Sequence, residues 1–254
     1  MTDPSPKHPA KYSDPILDRL RVLVQAERRR VLGRTHDGPL LVLDPFAGVG
    51  RIHRLAYTGP GPGQIRTVGV ECEGEWAACH PYSGGQGTLR GDAFEWLPRL
   101  ARNGDMPDVV VTSPTYGNRF ADHHNAQDGS RRRSYTHDIG HDLHPNNSGR
   151  LHWGPLYWAF HVEAWRLVFA TLRPGGLFLL NVSDFQRQRR MVHAVEWHRG
   201  AAMGAGFITA GSDAHVTTQR LQGVGTAATA GRAPTEAILR FRKPESPGAD
   251  HAQA

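Results

Sequence analysis

Hydrophobic and polar residues follow one another along this chain in a pattern that predicts strands and helices in turn. Short apolar runs predict buried strands at residues 40–43, 67–71, 108–112 and 177–182. Helices are predicted at 15–31, with Asp14 as a cap and apolar residues on one face, and at 73–80 and 156–172. The runs 207–210 and 237–241 predict a closing strand pair. This alternation indicates an α/β fold with a mostly parallel sheet, a closing antiparallel strand and helices on both faces.

Composition divides the 254 residues into one large domain with polar ends. Residues 1–14 are predicted to be a flexible arm, residues 15–243 the α/β domain, and residues 244–254 a disordered tail. Within the domain, residues 117–153 are polar and show little apolar periodicity, so they are predicted to be an insert. The aromatic residues at its end and just after it, Trp153, Tyr157, Trp158 and Trp165, are predicted to pack in the core.

Charge and cysteine usage narrow the class of protein only slightly. The formal net charge of +6 suits a polyanionic partner such as nucleic acid. Nearly all of the basic residues are arginine, a skew that a GC-rich coding sequence also produces, so charge is weak support. Two cysteines cannot form a disulfide framework, and no secretory signal or long apolar run is present. We therefore expect a cytoplasmic protein with no membrane contact and no obligate protein partner.

Acidic residues follow consecutive predicted strands, where ligands bind in doubly wound sheets. Asp44 precedes a turn that contains Gly48 and Gly50, and its carboxylate could accept from a cationic amine. Glu71 ends the next strand, where a carboxylate can take both ribose hydroxyls. Asp92 comes about twenty residues later and could accept from an adenine amino group. Three such acids match a nucleoside that carries an amine; the alternative is that they are solvated strand ends or helix caps.

Two short motifs give the chain a resemblance to the amino-methyltransferases of DNA, the N4-cytosine and N6-adenine class with a Rossmann-like fold. The resemblance implies an S-adenosylmethionine-dependent methyltransferase domain with S-adenosyl-L-methionine as cofactor. It also implies that three regions contact the cofactor: an N-terminal element at 8–12, the glycine turn, and the ends of the two later strands. The first motif is Asp44-Pro45-Phe46-Ala47-Gly48-Val49-Gly50, and the implied cofactor residues are Tyr12, Asp44, Pro45, Phe46, Gly48, Gly50, Glu71, Asp92 and Ala93.

The second motif, Thr112-Ser113-Pro114-Thr115-Tyr116-Gly117, resembles the catalytic signature of that class. An exocyclic amino group is a poor nucleophile because its lone pair is delocalised into the ring, so two acceptors aimed at its hydrogens activate it. The resemblance assigns the acceptors to the Ser113 side chain and the Pro114 carbonyl, with Tyr116 stacking on the flipped base. No metal is required, since the positive charge on sulfur already activates the leaving thioether. Thr115 stands where the family usually has a second proline, which predicts a less rigid loop.

The insert follows this motif directly and is predicted to include a target-recognition loop. Arginines there could contact phosphates and asparagines could read base edges, although a solvated loop is the alternative. Its histidines and aspartates show no spacing characteristic of zinc. The predicted nucleic-acid contacts are Asn118, Arg119, Arg131, Arg132 and Arg133, with Asn125, Asn146, Asn147 and Arg150 as further candidates.

The predicted function is site-specific methylation of an exocyclic base amino group in DNA, as in restriction-modification systems. Ser113 stands at the first position of the family's signature, and serine there favours N4 of cytosine over N6 of adenine. An RNA base methyltransferase and a nucleic-acid-binding protein that has lost turnover through Thr115 stay open as alternatives.

Overall fold

The computed structural model describes residues 12–32, 38–58, 64–115, 117, 135–187, 190–217 and 235–245. Its strands are β1 (Leu40–Asp44), β2 (Ile65–Glu71), β3 (Gly87–Arg90), β4 (Val109–Thr112), β5 (Leu177–Val182), β6 (Phe185–Arg187), β7 (Arg190–Val192), β8 (Ile208–Thr209), β9 (Ala214–Thr217) and β10 (Thr235–Arg242). Its helices are α1 (Asp14–Val31), α2 (Gly74–Ala77), α3 (Ala93–Asn103), α4 (Tyr135–Ile139), α5 (Pro155–Thr171) and α6 (Ala194–Gly204), with 3-10 turns at Arg51–Leu55 and Ser148–Arg150.

The main sheet has the strand order β3-β2-β1-β4-β5-β10-β8, and β9 also pairs with β10. Strands β3, β2, β1, β4 and β5 are parallel, while β10 runs antiparallel to β5 and to β8. The predicted parallel sheet with a closing antiparallel strand is confirmed. The chain builds outward from β1 to β3 and then returns to β4 on the other side of β1. The carboxyl ends of β1 and β4 therefore flank the switch point at which such sheets bind ligands.

Alternate residues of the central strands feed two separate cores, one on each face of the sheet. In β5, Leu177 and Leu179 pack with α1, while Phe178 and Leu180 pack with α3, α5 and α6. All six residues of β5 and all four of β4 are buried, as a sheet covered on both faces requires. Because both faces are filled, the open edge at the carboxyl ends of the strands is where the sheet meets the candidate site.

The predicted elements differ from the structure at α1 and α2, and several elements of the structure, among them β3, β6, β7, β9 and α4, were not predicted. The N-cap position of α1 is Ser13, which makes no side-chain cap hydrogen bond, while Asp14 is the first helical residue and its side chain binds Arg51 and Arg54. The helix predicted at 73–80 is only the single turn α2. Helices α3 and α6 were not predicted, and the first of them contains Pro98, which obscures a helical pattern. Of the helices in the described part of the chain, none has the length and apolar character needed to cross a membrane.

Candidate active site

An open cleft of about 770 Å³, including the part open to solvent, lies at the carboxyl ends of β1, β2 and β4. The two predicted motifs meet there, because the glycine turn after β1 and the loop after β4 line the same cleft. Of the predicted cofactor and catalytic residues in the described part of the chain, Asp44, Gly50 and Pro114 do not line it. Those that do line it are Tyr12, Pro45, Phe46, Gly48, Glu71, Asp92, Ala93 and Ser113.

Glu71 ends β2 with its carboxylate buried at the floor of the cleft. One carboxylate oxygen accepts from the backbone N–H of Gly48 at 2.8 Å, and the other accepts from that of Glu73 at 2.8 Å. Burial raises the pKa of Glu71 to about 7, while those two backbone hydrogen bonds oppose the rise. The carboxylate thus joins the glycine turn after β1 to the turn after β2, and it faces the cleft between them.

Asp44 lies behind the cleft rather than in its wall. Its carboxylate accepts from the Tyr12 hydroxyl at 2.9 Å, the Phe46 N–H at 3.0 Å and the Thr112 hydroxyl at 2.8 Å. The side chain is fully buried, and burial raises the pKa of Asp44 to about 6. Asp44 therefore links the N-terminal segment, the glycine turn and the last residue of β4, and a direct contact with a cofactor amine stays a prediction.

Asp92 is the N-cap of α3 and a lining residue at once. One of its carboxylate oxygens accepts from the Phe94 N–H at 2.9 Å, which caps the helix. The other accepts from the side-chain amide of Asn146 at 2.6 Å. An amide N–H₂ is the same kind of donor as the adenine amino group that Asp92 was predicted to bind. Asn146 therefore occupies the acceptor that an adenine would use.

Ser113 follows β4 and lines the cleft beside the glycine turn. Its Oγ accepts from the side-chain amide of Asn181 at 3.2 Å, and the same amide donates to Glu236 at 2.8 Å. Asn181 lies near the end of β5, next to β4, and is 1% exposed. The prediction from sequence missed it, although a single amide in an otherwise apolar strand is a signal of a buried polar role.

Thr115 is held by contacts that a proline at this position would only partly allow. Its hydroxyl donates to the Ser148 carbonyl at 3.1 Å and lies 3.1 Å from the Ser148 hydroxyl. Its carbonyl accepts from the Tyr157 hydroxyl at 2.7 Å. The sequence predicts a less rigid loop at Thr115, whereas these contacts attach the loop there to Ser148 and Tyr157.

The part of the insert from 135 to 150 lies against the cofactor side of the cleft. Buried Glu73 accepts from the His144 N–H at 2.8 Å and from the Asn147 amide at 2.7 Å. Tyr135 packs edge-on against Trp76, and both line the cleft. The asparagines predicted to read bases, Asn146 and Asn147, thus contact acidic residues of the cofactor side in this structure.

Several predicted residues lie outside the described part of the chain. They are the stacking residue and the candidate nucleic-acid contacts of the insert's first half: Tyr116, Asn118, Arg119, Asn125, Arg131, Arg132 and Arg133. Where side chains are described, no three histidine, cysteine, aspartate or glutamate residues are grouped so that they could hold a metal ion.

The donors and acceptors of the cleft fit a nucleoside with an attached amino acid. Carboxylates at two adjacent strand ends, Glu71 and Asp92, suit ribose hydroxyls and an exocyclic amine respectively. Gly48 and Gly50 have φ values of 54° and 73°, which other residues rarely adopt. A Cβ on Gly50 would lie 2.6 Å from the His80 ring, so the turn could not be this tight with a side chain there.

Comparisons with known proteins bear on the fold. No protein-family model and no curated protein matches the sequence. The chain is similar to a solved methyltransferase from Agrobacterium tumefaciens that is S-adenosylmethionine dependent, with 15% identity and a TM-score of 0.48 over 92% of this chain and 64% of that one.

Two further solved structures are similar to this chain, and the first of them shares its fold. The 4+2 cyclase SpnF is 16% identical, with a TM-score of 0.50 over 94% of this chain and 86% of that one. A precorrin-6y C5,15-methyltransferase from Geobacter metallireducens is 12% identical, with a TM-score of 0.44 over 92% and 93%. The chain spans less than two thirds of the Agrobacterium protein's length. Likeness at these identities concerns the fold alone, so the reaction has to be argued from the residues of the cleft.

Proposed function

We propose that this protein binds S-adenosylmethionine and methylates an exocyclic amino group of a base in DNA, with N4 of cytosine as the favoured acceptor. One observation carries the proposal: Ser113, from the motif after β4, lines the same cleft as Glu71 and Asp92. An amino group bound at Ser113 and a cofactor bound at the two carboxylates would therefore share one space.

The cofactor side of the cleft is built by β1, β2 and the start of α3. Glu71 would hold the ribose hydroxyls, the glycine turn at 48–50 would hold the amino-acid part, and Asp92 would accept from the adenine amine. S-adenosylmethionine supplies a methyl group that is activated by the positive charge on sulfur. Asp44 keeps Phe46 and the turn in place through the Phe46 N–H and the Tyr12 hydroxyl.

The acceptor side prepares the amino nitrogen for attack. The Ser113 hydroxyl oxygen would accept one amino hydrogen, and the resemblance assigns the other to the carbonyl of Pro114, which does not line the cleft in this structure. The two bonds would draw the nitrogen out of conjugation with the ring. The Asn181 amide donates to Ser113 Oγ and so orients the remaining lone pair of that oxygen. The nitrogen would form the new bond to the methyl carbon as the carbon–sulfur bond of S-adenosylmethionine breaks, with neutral S-adenosylhomocysteine as the leaving group, and it would then lose one hydrogen as a proton to solvent.

DNA as the partner is supported by the resemblance of the two motifs and, weakly, by the net charge of +6. The test is to incubate the full chain and radiolabelled S-adenosylmethionine with duplex DNA or structured RNA and to digest the products to nucleosides. We expect label in N4-methylcytosine from DNA. Label in N6-methyladenine would move the acceptor to adenine, and label only in RNA would overturn the choice of DNA.

A lack of transfer to either nucleic acid, with the cofactor still bound, would overturn the proposed activity. It would favour a nucleic-acid-binding protein that keeps the fold. Binding of the cofactor alone is measured by calorimetry in the same preparation, so that a failure of folding is told apart from a failure of catalysis.

A further inference from the structure

The loop after β4 is attached to a chain of buried side chains on the far side from the cofactor. Tyr157 and Trp165 of α5 and His198 of α6 are each 0% exposed. The Tyr157 hydroxyl lies 2.7 Å from the Thr115 carbonyl and 2.9 Å from His198 Nε2, and Trp165 Nε1 lies 3.2 Å from His198 Nδ1. These contacts connect two helices to the backbone of the proposed catalytic motif.

We infer that Trp165, His198 and Tyr157 are positioning residues that hold the acceptor loop by its Thr115 carbonyl and replace the rigidity of the family's second proline. The inference rests on the proposed function, because it assigns these residues to the loop that presents the acceptors Ser113 and Pro114.

The chemistry of the three groups allows only one direction for the hydrogen bonds. An indole N–H can only donate, so His198 Nδ1 accepts from Trp165 and the His198 proton resides on Nε2. His198 Nε2 therefore donates to the Tyr157 oxygen, which leaves the Tyr157 hydroxyl proton for the Thr115 carbonyl. Every polar atom of the series has a partner, and the last donor points at the loop.

Burial keeps His198 in the neutral form that this arrangement needs. Desolvation holds the pKa of His198 well below its ordinary value, and the nearby His161 ring lowers it further. A protonated ring would place a second N–H against the Trp165 indole N–H. The series is therefore a fixed structural support at neutral pH rather than a group that titrates during turnover.

The other end of the loop is held by the same region of the chain. The Gly117 carbonyl accepts from the Trp153 N–H at 3.0 Å, just before α5 begins. Gly117 has a φ of 63°, and a Cβ there would lie 2.9 Å from the Trp153 nitrogen and 3.0 Å from the Tyr157 ring. The loop is thus attached at residues 115 and 117 to the start of α5, which leaves Pro114 little freedom to shift.

A proline at 115 would restrict φ and so stiffen the loop by a different route. A proline at 115 and the hydrogen bonds of Tyr157 should then substitute for each other. Such compensation is expected of positioning residues and not of side chains that only pack in the core. If Tyr157 and His198 only satisfied each other inside the core, a proline at 115 would not compensate for their loss.

The experiment compares the wild type with Y157F, T115P and the double variant T115P/Y157F in methyl transfer to DNA. Y157F removes one hydroxyl and should lower kcat by about 10- to 100-fold, because small displacements of reacting groups have effects of that size. Cofactor affinity should change by less than about twofold. The double variant should recover most of the lost kcat. Y82F, a substitution at an exposed tyrosine, is the matched control and should leave kcat unchanged.

Losses that multiply in the double variant would overturn the inference, as would a Y157F enzyme with wild-type kcat. If T115P does not fold, judged by circular dichroism, the comparison of H198Q with H198A is made instead. A glutamine can still donate to Tyr157, so H198Q should keep more activity than H198A. Equal losses for the two would contradict the direction of the hydrogen bonds.

If the wild type methylates no nucleic acid, amide hydrogen exchange by NMR tests the support without a substrate. The Trp153 amide donates to the Gly117 carbonyl, so its exchange should speed up by about tenfold in Y157F, as expected for losing one net hydrogen bond. The Leu179 amide in β5 is the internal control. An unchanged Trp153 rate would overturn the inference independently of the proposed activity.

Discussion

The cofactor side and the acceptor side of the cleft are held in place in different ways. On the cofactor side, the residues that are proposed to bind also hold the loops, since Glu71 accepts from the Gly48 and Glu73 backbones. On the acceptor side, Ser113 and Thr115 are held by side chains that come from β5, the insert and α5. The first site is built from consecutive strand ends, and the second depends on packing between distant parts of the chain.

Two buried acids on the cofactor side and two buried histidines beside the acceptor loop respond to acid in opposite ways. Burial raises the pKa of Asp44 to about 6 and of Glu71 to about 7, so the folded state binds protons more tightly there and gains stability as pH falls below 7. Beside the acceptor loop, burial lowers the pKa of His161 to about 4 and of His198 well below its ordinary value. The unfolded state then binds more protons than the folded state below pH 6.5, so these two histidines make the folded state less stable as pH falls from 6.5.

The largest expected effect comes from removing the acceptor and leaving the cofactor side intact. S113A should lower kcat by about 100- to 1000-fold, the range seen when one group that stabilises a transition state is deleted. Cofactor affinity, measured by calorimetry, should stay within about threefold. S83A, at an exposed serine between β2 and β3, is the matched control. A matching loss of cofactor affinity in S113A would show that the two sides are not separable.

A smaller effect is expected from the cofactor side. E71Q should weaken S-adenosylmethionine binding by about 10- to 100-fold, because the new amide N–H₂ faces a backbone N–H that the carboxylate accepted from. E95Q, at an exposed glutamate of α3, is the control and should bind normally.

The same variant tests the pKa of Glu71. Hydroxyl donors prefer the ionised carboxylate, so wild-type affinity should fall as pH drops through about 7, and E71Q should show no such fall between pH 8 and 6. Calorimetry across this range measures it. A wild-type affinity that is flat with pH would contradict the role of Glu71.

The smallest expected effect concerns the contact between the insert and the cofactor side. N146A removes the amide that donates to Asp92 and frees that oxygen for an adenine amine. The affinity for S-adenosylmethionine should rise by about 2- to 10-fold, the equivalent of one net hydrogen bond. Weaker binding instead would indicate that Asn146 itself contacts the cofactor and that the insert is part of the cofactor side.

The sequence by itself determined the elements that depend on local pattern. Apolar runs identified β1, β2, β4 and β5, and the acids at the strand ends identified Glu71 and Asp92 as residues of the cleft. These predictions succeed because carboxyl ends of parallel strands meet at one edge, so position along the chain translates directly into position in the fold.

Only the tertiary structure decided how the acceptor loop is supported. Of the four aromatic residues predicted to pack in the core, Tyr157 and Trp165 are fully buried, whereas Trp153 is partly exposed and Trp158 is exposed. The polar atoms of Tyr157 and Trp165 form part of the support of Thr115. No periodicity marks that role, because the partners are 33 to 42 residues apart in the sequence. The same holds for Asn146 on Asp92, since contacts between an insert and a strand end follow from packing rather than from spacing.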